Sequence, residues 1–330
     1  MDNFVINASI IQNANPCEGV ITWTARTPAS STWIEVVWAD TLSLFVAIKQ
    51  NTGSSVIMTS PDGATWTQRT TPATGSPFWE GICWSSSLGL LVAVGSSGTS
   101  RVMTSPDGIN WTSRTASTAA TWKRVAWIPT VNLFVSGANA WGVNVNVMTS
   151  PDGVTWTTRN SPVFQSRGFA WSPSLALIVA VSDTVPHILT SPDGINWTTR
   201  TISGTPTFTD IAWSGSLAMF VATSSSDPLL ARSTDGINWT GYNASLPHGV
   251  SDFMKCIAWA PEISTFVMLG KDSNTGNAVF SSKDGLNWTE RSCPNPSNGW
   301  NGIDWSPSLG IFAAVAGSGT NLAMTSNQCP

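Results

Sequence analysis

Six times along its 330 residues the chain repeats one short phrase. Met58-Thr59-Ser60-Pro61-Asp62-Gly63-Ala64-Thr65-Trp66-Thr67-Gln68-Arg69-Thr70 is the first full copy. Ser105-Pro106-Asp107-Gly108, Ser150-Pro151-Asp152-Gly153 and Ser191-Pro192-Asp193-Gly194 follow it closely, leading to Trp111, Trp156 and Trp197. Ser233-Thr234-Asp235-Gly236 with Trp239, and Ser282-Lys283-Asp284-Gly285 with Trp288, are looser copies. The aspartates stand 45, 45, 41, 42 and 49 residues apart. A unit of that length cannot bury its own apolar face, so copies must pack on one another, and the period is that of a β-propeller blade.

The phrase explains itself physically. Proline in second place pre-sets φ for a tight turn, the aspartate folds back onto main-chain N–H groups, and glycine takes the left-handed conformation. Behind the turn, Trp-Thr-x-Arg-Thr alternates apolar and polar residues, as a half-buried strand does. The indole is the anchor, because one tryptophan buries roughly 150–250 Å².

Between copies the plan is constant. An inner strand ends in Trp38, Trp84, Trp127, Trp171, Trp213, Trp259 or Trp305, with an apolar residue two places earlier (Val36, Ile82, Val125, Phe169, Ile211, Ile257, Ile303). A short turn, an apolar second strand and a third strand running into the serine of the phrase complete it. Fourth strands reach the same count only if Val20–Thr27, a Trp-Thr-x-Arg-Thr strand with no third strand before it, pairs with Leu322–Ser326, a third strand with nothing after it. The expectation is an all-β, seven-bladed propeller of four-stranded antiparallel blades, spanning 17–330 and closed by the N-terminal strand completing the last blade. Such an interlock removes an open sheet edge. Residues 1–16 belong to no repeat and are read as a docking arm, with Phe4, Val5, Ile6, Ile10 and Ile11 as its apolar surface.

The turn resembles the Asp-box (BNR) motif of sialidase-like β-propellers, Ser-x-Asp-x-Gly-x-x-Trp, shortened by one residue before the glycine. The resemblance runs over nearly the whole chain. It implies that Asp62, Asp107, Asp152, Asp193, Asp235 and Asp284 are structural, since in that family the box is a turn on the outer part of a blade. Sialidases, sortilin-type receptors, photosystem assembly factors and many virus and phage proteins carry it. The near-identical, Trp-rich copies are most similar to propellers of bacteriophage virions, found in tail fibres, receptor-binding tips or capsid decorations.

Composition narrows the field. The net charge of −4 gives none of the basic footprint that nucleic acid requires, so no nucleic-acid partner is expected. No apolar run approaches the ~18 residues of a membrane span, so membrane insertion is not expected either. Residues 1–16 lack the basic start and continuous apolar core of a signal peptide, which places the expected product in the host cytoplasm, assembled into a virion. Cys17 precedes the N-terminal strand and Cys329 follows the last third strand, so ring closure brings them near each other. A disulfide there depends on an oxidising setting. Cys83 and Cys256 read as buried apolar thiols. The cysteine spacings match no zinc motif, and no metal or other cofactor is expected.

Function belongs where the repeats differ. Non-repeat charges gather at the start of inner strands: Glu35, Glu80, Lys123, Arg124, Arg167, Asp210 and Lys255. Of these Glu80, Lys123, Arg124, Arg167 and Asp210, with Trp141 from the long loop 136–145, are the candidate ligand-binding residues. An aromatic plate among hydroxyl and amide groups suits a sugar ring; packing against a neighbouring blade or a protein is the alternative for Trp141. Arg124 and Arg167 stand on adjacent blades, in reach of one carboxylate. The resemblance to sialidases would require a third arginine, an Arg-Ile/Leu-Pro stretch and a nucleophilic tyrosine near the channel. The single tyrosine, Tyr242, instead holds the repeat-arginine position on an outer strand. The expected function is therefore a non-catalytic binding or structural module of a virion. Its partners would be other virion proteins through the arm and a host-surface glycan at the loops. A free lectin and a sialidase-like hydrolase stand as alternatives, a two-carboxylate glycosidase using Glu80 and Asp210 among them.

Overall fold

The computed structural model describes residues 21–50, 55–72, 78–139, 146–227, 229–243, 253–271 and 279–328. Within them 28 strands form seven four-stranded antiparallel sheets, and the one helical element is the short 3-10 turn Asp40–Leu42. Blade one runs Trp33–Ala39, Leu44–Lys49, Ile57–Ser60 and Thr67–Arg69 in spatial as in chain order. The next five repeat that meander. The seventh is composite: Trp300–Ser306, Ile311–Ala316 and Ala323–Ser326 are completed by Trp23–Arg26 from the other end of the chain. Trp23 lies opposite Ser326 and Thr24 opposite Thr325, the same register as Thr67 opposite Thr59 in blade one. The seven blades and their closing strand match the count made on the sequence.

Antiparallel order fixes the two faces of the ring. The hairpin between first and second strands and the Ser-Pro-Asp-Gly turn between third and fourth share one face, hereafter the turn face. The start of each inner strand, the loop between second and third strands and the connection between blades share the other.

Each blade packs its face on its neighbour's. Val46, Ile48 and Ile57 of blade one form one core with Trp79, Ile82, Leu91, Met103 and Trp111 of blade two. Within a blade the inner-strand tryptophan lies against the aromatic residue of the second strand. The ring centroids are 4.6 Å apart for Trp38–Phe45, 4.4 Å for Trp213–Phe220 and 4.7 Å for Trp305–Phe312. The repeat turns behave as their chemistry demands. Asp107 Oδ1 accepts the N–H groups of Ile109 and Asn110 at 2.8 and 2.7 Å, its Oδ2 accepts the Asn110 side chain, and Gly108 stands at φ 73°. The Trp111 indole then donates to the Gly108 carbonyl at 3.1 Å. The six aspartates are thereby turn caps. The repeat arginines are likewise internal to their blades, Arg69 Nε donating to Thr59 Oγ1 at 2.8 Å. Cys83, Cys256 and Cys293 are buried free thiols.

The arm, Cys17, Cys329 and Trp141 lie outside the described residues.

Candidate functional site at the channel mouth

Every inner strand carries a register shift near its start, between Trp33/Glu35, Trp79/Gly81, Trp122/Arg124, Ser166/Gly168, Phe208/Asp210, Met254/Cys256 and Trp300/Gly302. A bulge bends the strand and re-aims the residue it leaves unpaired. The residues so left are Ile34, Glu80, Lys123, Arg167, Thr209, Lys255 and Asn301. Six of them, all but Thr209, line a cavity of about 180 Å³ at the channel end opposite the turn face, with Gln50 and Arg124 between them. The mouth is thus built from one irregularity used seven times. The charges were legible in the sequence; the bulge that gathers them was not, because it leaves no residue-type signature.

These groups hold one another. Glu80 Oε1 accepts the Lys123 ammonium at 2.6 Å, Gln50 Nε2 at 3.0 Å and the Ser96 hydroxyl at 2.8 Å. Arg167 pairs with Asp183, a partner the sequence reading did not single out. Arg124 does not join Arg167 in a clamp: its Nε donates to the Arg167 carbonyl at 2.8 Å and its Nη1 to the Glu80 carbonyl at 3.0 Å. One guanidinium therefore ties three blades together. Burial lowers the Lys255 pKa, and the positive charges of Arg167 and Arg124 lower it further.

One layer down, the next inner-strand position reads Glu35, Gly81, Arg124, Gly168, Asp210, Cys256 and Gly302 around the ring. Three of these positions are glycine because the main chain of the next blade passes too close to admit a side chain. A Cβ on Gly81 would sit 2.8 Å from the Lys123 carbonyl, one on Gly168 2.9 Å from Asp210 Oδ1, and one on Gly302 2.7 Å from Glu35 Cα. The carboxylates bridge blades. Glu35 Oε2 accepts the Ile82 N–H at 3.0 Å, and Asp210 Oδ2 accepts the Ile257 N–H at 3.0 Å. Asp304, deeper in the channel and missed by the sequence reading, accepts the Trp38 N–H at 2.7 Å. Inner strands of different blades share no ladder, so these side chains satisfy main-chain groups that would otherwise face the channel.

Burial in the narrow channel pushes Glu35 up to about 7, against the pull of Arg124 and the Ile82 N–H. It pushes Asp210 and Asp304 each up to about 6. Glu80 and Asp210, the two acids considered for glycoside chemistry, are engaged differently: Glu80 in an ion pair at the mouth, Asp210 with main-chain N–H groups of Ile211 and Ile257. Tyr242 is on the outermost strand of blade five, its hydroxyl donating to the Gly285 carbonyl of the next blade. His187 is half-buried with its ring edge to face with Phe208, centroids 6.4 Å apart, and is not among the residues lining the mouth. Among the described residues no group of three or more His, Cys, Asp or Glu side chains is placed to hold a metal ion. No described helix is long and apolar enough to cross a membrane.

No protein-family model matches the chain, and no curated protein matches it in sequence. Solved structures do match in fold. A virginiamycin B lyase from Staphylococcus aureus superposes with a TM-score of 0.73 at 10% identity, over 93% of this chain and 97% of that one. YCF48 bound to D1 peptide gives 0.67 at 14% identity, over 94% and 96%. A chain of the mitotic checkpoint complex gives 0.67 at 10% identity, over 99% and 98%. At such identities the likeness is one of fold. The neighbours include a lyase and proteins that bind peptides or other proteins.

Proposed function

We propose that the chain is a non-catalytic recognition module of a viral particle, held by its N-terminal arm and offering the channel mouth to a host-surface glycan. The observation that carries this reading is the opposition of the two ends. Trp23 pairs with Ser326 at the turn face, so the chain joins the ring there, while the bulge residues open the mouth on the other face. An anchor on one side and a polar recess on the other is the arrangement a display protein needs. The second strand of blade three ends at Ala138 and its third begins at Val147, both on the mouth side.

The non-catalytic part of the reading is supported by how the acids are used. Glu35, Asp210 and Asp304 accept main-chain N–H groups across blade junctions, and Glu80 is spent on Lys123, Gln50 and Ser96. A general acid or base needs a free lone pair or proton directed at substrate. Structural neighbours that bind peptide or assemble with proteins support a binding use of the fold.

A glycan array probed with the intact protein and with Lys255→Ala and Trp141→Ala variants tests the reading. Binding to one sugar class, weakened in both variants, supports it. Binding that survives in both moves the ligand elsewhere. Turnover of any glycoside, abolished by Glu80→Gln or Asp210→Asn in a folded protein, overturns it in favour of a hydrolase.

A further inference from the structure

The repeat turn does more than reverse the chain: its glycine leans on the second strand of the preceding blade. A Cβ on Gly108 would lie 3.2 Å from Leu44, one on Gly153 2.9 Å from Leu90, one on Gly236 2.6 Å from Leu177 and one on Gly285 2.5 Å from Met219. Those four partners open their second strands. The corresponding residue on blade six is Thr265, and it should receive the turn of blade seven. That turn is broken: after Ser326 the sequence reads Asn327-Gln328-Cys329-Pro330, with no Asp-Gly. At this place lies a cavity of about 270 Å³ walled by Ile21, Ile263, Thr265, Asp284 and Asn287.

A second observation points into the same space. In five turns the tryptophan indole donates to the carbonyl of the turn glycine, as Trp66 does to Gly63 at 2.9 Å and Trp239 to Gly236 at 3.0 Å. Trp23 occupies the same register slot in blade seven and is 8% exposed, yet its indole N–H has no partner. Counting back from Trp23, Val20 holds the glycine slot. Blade six thus presents a threonine where other blades present leucine, methionine or isoleucine, and the N-terminal segment presents a valine where other turns present glycine. The two departures compensate in volume.

We propose that this cavity is the docking site of the chain's own N-terminal segment. Cys17–Val20 fill it as the second half of a split seventh turn, with the Val20 side chain over Thr265 and the Val20 carbonyl accepting the Trp23 indole N–H. The arm ahead of Cys17 is thereby led out over the turn face. This inference does not depend on what binds at the mouth.

The test is indole N–H exchange by NMR on the full chain with labelled tryptophan. Trp23 is expected to exchange as slowly as Trp66 and Trp239. Thr265→Leu, which restores the residue of other blades and crowds Val20, should speed Trp23 exchange by about tenfold, the equivalent of one hydrogen bond. Adding Val20→Gly to that variant should restore the slow rate. Unchanged exchange in Thr265→Leu, or no rescue by Val20→Gly, overturns the proposal. Should Thr265→Leu fail to fold, rescue of folding by Val20→Gly supports it and absence of rescue overturns it. Protection that develops only as a dimer forms, seen by light scattering across a dilution series, would assign the segment to a second copy and overturn docking within one chain.

Discussion

The Tyr242 hydroxyl donates to the main-chain carbonyl of Gly285, the acceptor that in five other repeat turns serves the turn's own tryptophan. The substitution of tyrosine for the repeat arginine has thus rewired the junction between blades five and six. Burial pushes the Tyr242 phenol up to about 12, ahead of the opposing influence of Arg232, whose guanidinium lies 5.9 Å from the ring centre.

Because the chain has one tyrosine, that shift is directly readable. Phenolate absorbance near 295 nm should rise around pH 12 in the folded protein and near the ordinary value of about 10 in denaturant. The sign for stability follows. Between those values the unfolded chain releases the phenol proton and the folded chain keeps it, so stability falls as pH rises above about 10. Tyr242→Phe removes the absorbance change and its share of the alkaline slope, leaving the part due to the Cys83, Cys256 and Cys293 thiols, whose pKa burial also raises. A folded-state titration near 10 would show that the phenol is not buried at this junction.

At lower pH two opposed sets of acids set the profile. Glu35, raised from 4.5 to about 7, and Asp210 and Asp304, raised from 3.8 to about 6, keep protons that the unfolded chain releases. Their effect is a loss of stability as pH rises from about 4 to 7. The groups around Glu35 that enter this balance are Arg124, Asp210 and Asp304. At Asp107, Asp193, Asp235 and Asp284 burial also disfavours the charge, but the converging N–H groups and Asn side chains outweigh it and hold each at about 2. Their stabilisation is present above about 4 and is lost as pH falls toward 2. The melting temperature should therefore peak near pH 4–5. Glu35→Gln should flatten the slope between pH 4.5 and about 7 and leave the acid limb intact. A profile that climbs steadily from pH 4 to 8 would contradict the channel shifts.

What the sequence made legible was whatever repeats. Blade count, strand order and the split seventh blade follow from Trp and Ser-Pro-Asp-Gly spacing, since those residues meet the same physical demand in every copy. The left-handed residue of the inner hairpins was not legible, because it is Ser43, Asn132, Ala176, Ala218 and Ser264 in five blades and glycine, Gly89 and Gly310, in only two. The mouth was half legible. Glu80, Lys123 and Arg167 stood out as charges breaking a pattern, but their gathering depends on bulges. The direction of Arg124, toward two carbonyls and not toward a ligand, depends on main-chain groups left open at blade junctions. Asp304 was hidden by lying two positions deeper than the other acids. Gly81, Gly168 and Gly302 look like weak strand residues until the main chain of the adjacent blade is placed beside them.

The turn glycines can be tested one at a time. Gly236 stands at φ 70°, and a Cβ there would lie 2.6 Å from Leu177 Cδ2 and 3.3 Å from Phe220 Cε2. Gly236→Ala combines a left-handed alanine with overpacking at a blade junction, so it should cost about 2–4 kcal/mol. Gly89, also left-handed at φ 57°, has nothing within 4 Å of a Cβ. Gly89→Ala should cost only the backbone part, about 1–2 kcal/mol. Chemical denaturation of the two variants measures the difference. Equal losses would mean that contact with the preceding blade contributes nothing.

The composite seventh blade makes the last prediction. Thr24 and Thr325 face each other as Thr67 and Thr59 do, and Trp23 packs on Phe312 at 6.3 Å between ring centres. Arg26 Nε donates to Thr325 Oγ1 at 3.0 Å, and Thr27 Oγ1 to Asn321 Oδ1 at 2.8 Å. The pairing repeats that of the unbroken blades, so continuity of the chain at this point is dispensable. A permuted protein opened between Ala29 and Ser30, with Ser326 joined to Ile21 by a Pro-Asp-Gly link, would carry seven intact turns and no arm. Its link supplies a glycine carbonyl for the Trp23 indole and two N–H groups' worth of aspartate acceptor, and it removes the freedom of the closing strand to detach. The gain expected is roughly 1–3 kcal/mol over the natural order, less any misfit of the new glycine over Thr265. Deleting residues 1–26 outright exposes the edge of Ala323–Ser326 and leaves blade seven with three strands, so that protein should aggregate or melt far lower. Thermal melts of the three proteins decide the matter. A permutant less stable than the natural chain, or a deletion with unchanged melting, would mean that the closing strand does not hold the ring.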